Sequence, residues 1–221
     1  MKSKQTAKLV DKIITFSDAN EIDRRHCVVD MLRHCPIPDS ELLLNMGLFV
    51  TPQLFSRLLF MDHLYRQVLD IQGVVMEFGC RWGQNLVTFN ALRGIYEPYN
   101  RLRKIIGFDT FTGFGEITKE DGAVLKKGGY AVTTGYRDYL AALLGHMEKE
   151  SPLSHIVKHE VIQGDAPVKL RDYLERNPHT VIALAYFDMD VYKPTKECLE
   201  LIRPHITRGT ILGFDEVNDP D

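Results

Sequence analysis

The sequence lacks any apolar run near the roughly 20 residues that span a bilayer. Its N-terminus carries lysines but no apolar core of about 7–15 residues of the kind a secretory signal needs. These absences argue against a membrane partner and set a cytoplasmic location as the expectation. Cysteine is sparse. Cys27, Cys35, Cys80 and Cys198 are too few and too scattered for a disulfide framework, and no CxxC pair occurs. An excess of positive charge is missing too: 27 Lys and Arg stand against 30 Asp and Glu, for a net charge of −3. That balance argues against a broad phosphate-binding face, and so against nucleic acid as partner. The chain also has no GxGxxG and no GxxxxGK[ST], so it offers no ready cradle for a dinucleotide's pyrophosphate or a nucleoside triphosphate.

What is present is ordinary in bulk, with 44% hydrophobic and 26% charged residues. Such a balance excludes disordered and collagen-like classes and suits one globular domain with a terminal extension. Residues 1–70 read as a helical extension with no convincing strand. Thr51-Pro52 is a strong helix start, Thr as cap and Pro at the first helical position. Leu54, Phe55, Leu58, Met61, Leu64, Tyr65 and Val68 follow at helical spacing, as a packing stripe does. His26-Cys27 and His34-Cys35 offer four zinc-ligand types on paper. Adjacent helical residues diverge by about 100°, so the favoured reading is buried cysteines on a short helix.

From residue 71 the grammar changes to alternating strand and helix. Strands are expected at 74–78, 104–108, 159–163, 180–187 and 210–214, with helices at 84–96, 136–149, after Asp165, and at 194–203. Apolar strands alternating with helices predict an α/β fold, a doubly wound Rossmann-like sheet that is mostly parallel and covered on both faces. Ligands of such sheets sit at the carboxyl ends of the strands. Here those ends read Glu77-Phe78-Gly79-Cys80-Arg81-Trp82-Gly83, then Asp109, Asp165, Asp188-Met189-Asp190 and Asp215-Glu216. Carboxylates gathered at a crevice need cations or donors to offset their desolvation. Asp165 and Asp190 also have a duller reading as helix caps. Asp109 stands where a carboxylate accepts ribose hydroxyls, and a nucleoside bound without a pyrophosphate cradle points to S-adenosyl-L-methionine.

Glu77-x-Gly79-x-x-x-Gly83, Asp109 and Gly164-Asp165-Ala166, each after its strand, resemble the motifs of class I S-adenosylmethionine-dependent methyltransferases. The segment Phe187-Asp188-Met189-Asp190-Val191-Tyr192-Lys193-Pro194-Thr195 resembles the D-x-D-x-Y-x-x-T stretch of the macrocin O-methyltransferase (TylF-like) family. Gly107 to Phe114 resembles that family's D-S-F-x-G-L stretch. Two departures stand out: Cys80-Arg81-Trp82-Gly83 replaces V-W-R-G, and Glu216 replaces a second Asp. The resemblance implies that Glu77, Gly79, Cys80, Arg81, Gly83, Asp109, Thr110, Asp165, Ala166 and Asp188 line the cofactor. It also implies that Asp188, Asp215 and Glu216 ligate a metal, with Mg2+ expected from the all-oxygen donor set. Asp190 is the candidate general base.

The reaction expected is O-methylation of a hydroxyl on a sugar or small natural product. Alternatives are metal-independent methylation of nitrogen or another acceptor, and a non-catalytic nucleoside-binding module. No [DN]PP[YF] segment follows the fourth strand, which argues against a nucleic-acid methyltransferase. Residues 110–135, rich in glycine, read as a lid or binding loop or as a mobile surface excursion. Lys126 and Lys127 within it could contact a phosphate on the acceptor, but two lysines on a loop are more often simply solvated. Trp82 reads as packing. A homo-oligomer is a possible arrangement, the helical extension covering its own site or a neighbour's. The family pattern has two further strands beyond Phe214, so the chain is expected to be either truncated or a sheet whose open edge a partner covers.

Overall fold

A computed structural model describes residues 8–10, 13–15, 17–121 and 125–215. The chain divides into two compact units, Met1–Arg57 and Leu58–Asp221, with the boundary inside a helix. The first unit opens with a strand pair absent from the sequence reading. β1 (Lys8–Val10) and β2 (Ile13–Thr15) pair antiparallel, Leu9 opposite Ile14. Three-residue strands are too short for alternation to show in sequence, which is why the extension reads as all helical. α1 (Ala19–Arg33) starts on a reciprocal cap: Glu21 N donates to Asp18 Oδ1 and Asp18 N to Glu21 Oε2, at 2.9 and 3.0 Å. Cys27 on this helix is exposed and Cys35 half-buried, so neither is a core cysteine. Among the described residues no cluster of His, Cys, Asp and Glu is placed to hold a metal. α2 (Asp39–Leu42) runs into a 3-10 turn. α3 (Pro52–Arg66) begins as expected, with Leu54 N donating to Thr51 Oγ1. Its apolar stripe is buried only from Met61 onward; Phe55 is exposed.

The second unit holds β3 (Val74–Phe78), α4 (Gln84–Tyr96), β4 (Ile105–Asp109), α5 (Tyr136–Glu148), β5 (His159–Gln163), α6 (Ala166–Arg176), β6 (Ile182–Phe187), α7 (Tyr192–Ile202) and β7 (Ile206–Phe214). The sheet is entirely parallel, in the order β5-β4-β3-β6-β7. β3 is buried along its whole length, as strands covered on both faces are. Alternate residues feed two cores. Val75, Ala183, Leu184 and Tyr186 join Tyr65, Leu86, Phe89, Leu140 and Leu144 from α3, α4 and α5. Met76, Phe78, Ile106, Phe108, Ala185 and Phe187 join Leu170, Tyr173 and Leu174 of α6 and Cys198 and Ile202 of α7. Among the described residues no single helix is long and apolar enough to cross a membrane.

Strand order reverses between β3 and β6. The chain moves outward through β4 and β5, then returns to the other side of β3. A crevice opens at the carboxyl ends of two strands whose connections leave in opposite directions, and ligands of open α/β sheets bind there.

Candidate functional site

Four phenylalanines set the floor of this crevice. Phe108, Phe78, Phe187 and Phe214 are register partners across β4, β3, β6 and β7. Their rings stack at 5.1, 4.8 and 5.1 Å between centroids, within 17° of parallel. Offset aromatic pairs add about 0.5–1.5 kcal/mol each beyond burial, so the ladder ties the four strand ends together. One residue further along stand Asp109, Gly79, Asp188 and Asp215, in strand order. The sheet's hydrogen bonds continue through this row: Gly79 N donates to Phe108 O at 2.9 Å, Asp188 N to Phe78 O at 2.8 Å and Asp215 N to Phe187 O at 3.1 Å. Three carboxylates and a glycine therefore leave the sheet side by side, the glycine at the reversal point.

Gly79 has a positive φ of 87°, and a Cβ built on it would lie 1.9 Å from Asp188 O. Only a residue without a side chain lets the turn after β3 approach β6 so closely. Gly83, at φ 76°, precedes the first turn of α4. Between them the Cys80 side chain turns inward, its Sγ 3.7 Å from the carbonyls of Glu77 and Phe108, and burial pushes its thiol well up. The Cys80 side chain is therefore packed into the protein and not offered at the surface. Glu77 is also buried, in β3.

Asp109 accepts from Arg81 N at 2.7 Å on one oxygen and from Phe111 N at 2.5 Å on the other. Burial pushes its carboxyl above the ordinary value, against the pull of these backbone N–H groups. Each carboxylate oxygen accepts more than one hydrogen bond, so Asp109 keeps spare acceptor capacity while being fixed in place. Thr110 spends its hydroxyl locally, donating to Gly113 O at 2.8 Å. Asp165 is exposed at the N-cap of α6, beside the buried Ala166, yet its side chain makes no capping bond. Asp190 does not cap α7 either; Val191 holds that position. The capping explanation is thus not realised for either carboxylate.

Backbone strain gathers at the same place. Of the five non-glycine residues with positive φ among the described residues, Arg81 follows β3, Phe111 follows β4, Asp190 follows β6 and Tyr130 lies in the loop of residues 110–135. Left-handed conformations of non-glycine residues cluster at functional sites, where the surroundings over-determine them. Asp190, at φ 54°, lies where the chain turns away from the end of β6.

The loop of residues 110–135 is anchored, as far as it is described. Phe114 and Gly128–Gly129 exchange backbone hydrogen bonds, and the Phe114 and Tyr130 rings lie 5.3 Å apart. Asp121 accepts from Thr118 N and Oγ1 and from Tyr192 N, at 2.6, 2.8 and 2.6 Å, which binds the loop to the start of α7. These donors hold its carboxyl below the usual range, against some desolvation. Trp82 is 43% exposed and packs edge-on against Tyr136 at 4.7 Å, so its packing is partial.

Asn85 is a site residue that sequence reasoning missed. It sits in the first turn of α4, 3% exposed, with its Nδ2 3.5 Å from Asp188 Oδ2 and its buried Oδ1 without a hydrogen bond. Asn near a glycine-capped helix start reads as ordinary turn chemistry, and only the fold brings it to β6. Tyr186, whose hydroxyl donates to Asp215 Oδ1, was missed for the same reason. Of the expected metal ligands, Asp188 and Asp215 follow adjacent strands, but among the described residues no group of three or more His, Cys, Asp or Glu side chains is placed to hold a metal. Glu216 lies outside the described residues.

No protein-family model and no curated protein matches this chain at significance. Solved structures do. The crystal structure of the calicheamicin methyltransferase CalS11 superposes with a TM-score of 0.89 at 46% identity, covering 92% of this chain and 80% of that one. The apo structure of CalS11, a TDP-rhamnose 3'-O-methyltransferase of calicheamicin biosynthesis, superposes with a TM-score of 0.81 at 44% identity, covering 92% and 81%.

Proposed function

Because this chain belongs to the class I S-adenosylmethionine-dependent O-methyltransferases of the macrocin (TylF-like) type, we propose that it methylates a hydroxyl of a nucleotide-linked deoxyhexose. The relative's substrate, TDP-rhamnose, is the working acceptor. The observation that carries this reading is the row Asp109, Gly79, Asp188, Asp215 at the point where strand order reverses. In it, a carboxylate for ribose hydroxyls and a glycine admitting a ligand stand beside two carboxylates on the acceptor side.

Methyl transfer from a sulfonium is an in-line displacement, so the protein's main work is to place the two reactants and raise the hydroxyl's nucleophilicity. Asp109 holds the ribose. The backbone of Gly79 to Gly83, with Glu77, Arg81 and the carbonyl side of Asn85, lines the methionine end, where Asn85 Oδ1 is a ready acceptor for the ammonium. Asp165 and Ala166 border the adenine. S-adenosylmethionine, when bound, would supply the methyl group for the ether and leave as S-adenosylhomocysteine, and Asp190 takes the proton of the acceptor hydroxyl. Asp188 and Asp215, with Glu216, would hold Mg2+, which lowers the pKa of a bound hydroxyl. The anchored loop over the strand ends excludes water from the transfer.

The test is incubation with methyl-labelled S-adenosylmethionine and TDP-rhamnose, with mass spectrometry of the sugar nucleotide. Label on the sugar, abolished by EDTA and restored by Mg2+, is the expected result. Label transfer that survives EDTA would favour the metal-independent alternative.

A further inference from the structure

Arg81 carries two unfavourable features that the fold alone does not explain. Its backbone stands at φ 47°, a left-handed conformation, in a turn that has glycines available two residues to either side. Its Nε is buried and makes no hydrogen bond, and among the described residues its side chain enters no ion pair. The guanidinium instead lies 4.7 Å from the ring centre of Tyr130 and 5.9 Å from that of Trp82. Tyr130 belongs to the loop over the strand ends and is itself at φ 61°. Trp82 is the next residue of the turn. Aromatic faces satisfy the flat sides of a guanidinium. They leave its edge, a planar fork of N–H donors that matches the two oxygens of a carboxylate or phosphate.

We propose that Arg81 is an anion anchor: held against the rings of Tyr130 and Trp82, it takes the phosphate or carboxylate oxygens of a ligand in the strand-end crevice. The backbone N–H of Arg81 is already committed to Asp109. That bond fixes the residue beside the ribose position and leaves only the side chain to reach outward. Seating an anion on the fork would complete Nε and hold the loop down through Tyr130, so loop closure and recognition are one event. Both anions in the reading above qualify, the diphosphate of the acceptor and the α-carboxylate of the cofactor's methionine. The inference rests on that reading for the identity of the ligands, not for the geometry.

The test is calorimetric titration of thymidine 5'-diphosphate and, separately, S-adenosylhomocysteine into the wild type, Arg81→Lys and Arg81→Met, with melting temperatures alongside. The expected result is a loss of at least tenfold for one ligand in Arg81→Met, with the other within twofold, an intermediate value for Arg81→Lys and an unchanged melting point. Loss confined to the diphosphate assigns the acceptor; loss confined to S-adenosylhomocysteine assigns the cofactor carboxylate. Both ligands unchanged, or both weakened equally with a lowered melting point, overturns the proposal, the latter marking a structural role. If Arg81→Met fails to fold, Tyr130→Leu removes the upper ring and keeps the cation; it should weaken the same ligand as Arg81→Lys, and no effect on either refutes the anchor. Wild-type protein that binds no S-adenosylhomocysteine would sink the methyltransferase reading itself, a failure visible before any variant is made.

Discussion

Replacing Gly79 by alanine tests the claim that the close approach of β3's turn to β6 builds the site. The new Cβ would meet Asp188 O at 1.9 Å, Asp188 C at 2.5 Å and Met189 Cα at 3.1 Å, all backbone atoms. Ordinary contact needs roughly 3.4 Å or more, so the end of β6 must shift by about 1.5 Å. A left-handed conformation costs an L-residue about 1–2 kcal/mol, and overpacking of this kind costs about 1–3 kcal/mol more. The sum of ~2–5 kcal/mol corresponds to a fall in melting temperature of roughly 5–20 °C for a unit of this size. The functional loss is larger, because misplacing a reacting group by about 1 Å can cost on the order of 10²-fold. Gly145 is the internal control: it lies within α5, nothing stands within 4 Å of its added Cβ, and its backbone is regular. Gly145→Ala should stabilise by about 0.5–1 kcal/mol through helix propensity. Differential scanning fluorimetry with and without S-adenosylhomocysteine reads both variants. A Gly79→Ala protein that melts within about 1 °C of wild type and binds S-adenosylhomocysteine equally well would refute the reasoning.

Other expectations follow from the buried charges and the loop. Glu148 accepts from Arg93 Nη2 at 2.6 Å and pairs with Lys158 Nζ at 2.8 Å, with His159 Nδ1 at 3.3 Å, all nearly buried. Glu148→Ala strands two buried cations and should cost about 3–5 kcal/mol in urea unfolding; a loss under about 1 kcal/mol would contradict it. Hydrogen bonds and ion pairs from Lys158, Arg93 and His159 hold the Glu148 carboxyl below its usual value, and those from Arg103, Tyr65 and Asn100 do the same for Glu97, each against desolvation. A depressed carboxyl stabilises fully above the unfolded value near 4.3 and loses that contribution as pH falls through the folded value. Melting temperature should therefore hold from pH 7 to about 5 and fall steeply below, with a shallower acid slope in Glu97→Gln. Asp121→Ala releases the loop from α7; a raised KM and faster proteolysis within residues 110–135 should appear with little change in melting temperature.

Several elements are legible from pattern alone because local signals agree with the fold. β3, α4 and β5 fall at the expected residues, where apolar runs end in glycine or turn chemistry. α7 begins at Tyr192, two residues ahead of Pro194, since proline is tolerated in a helix's first turn, where its missing N–H has no partner to lose. β7 runs from Ile206, longer than the expected 210–214, and its register with β6 slips between Ile182 and Leu184. Polar Thr207 and Arg208 and the positive-φ Gly209 disguise that first stretch as a loop. The acidic strand ends were visible, as was their common address at the carboxyl edge. Their partners were not, nor was the buried ion pair of α4 with α5: the contacts of Asn85 with Asp188, Tyr186 with Asp215 and Arg93 with Glu148 join residues 103, 29 and 55 positions apart. Sequence separation of that size carries no local signature. The register of the four phenylalanines, and hence the side-by-side row of Asp109, Gly79, Asp188 and Asp215, emerges only once the strand order is known.

The central claim is that this row holds S-adenosylmethionine and directs its methyl group to a sugar hydroxyl. Single-turnover transfer of labelled methyl to TDP-rhamnose, compared between wild type and Asp190→Asn at equal S-adenosylhomocysteine affinity, tests it most directly. The account predicts a methyl ether from the wild type and a rate lowered by about 10²–10⁴-fold in the variant. Equal rates would contradict Asp190 as the base, and absence of transfer by wild-type protein that binds both ligands would contradict the account as a whole.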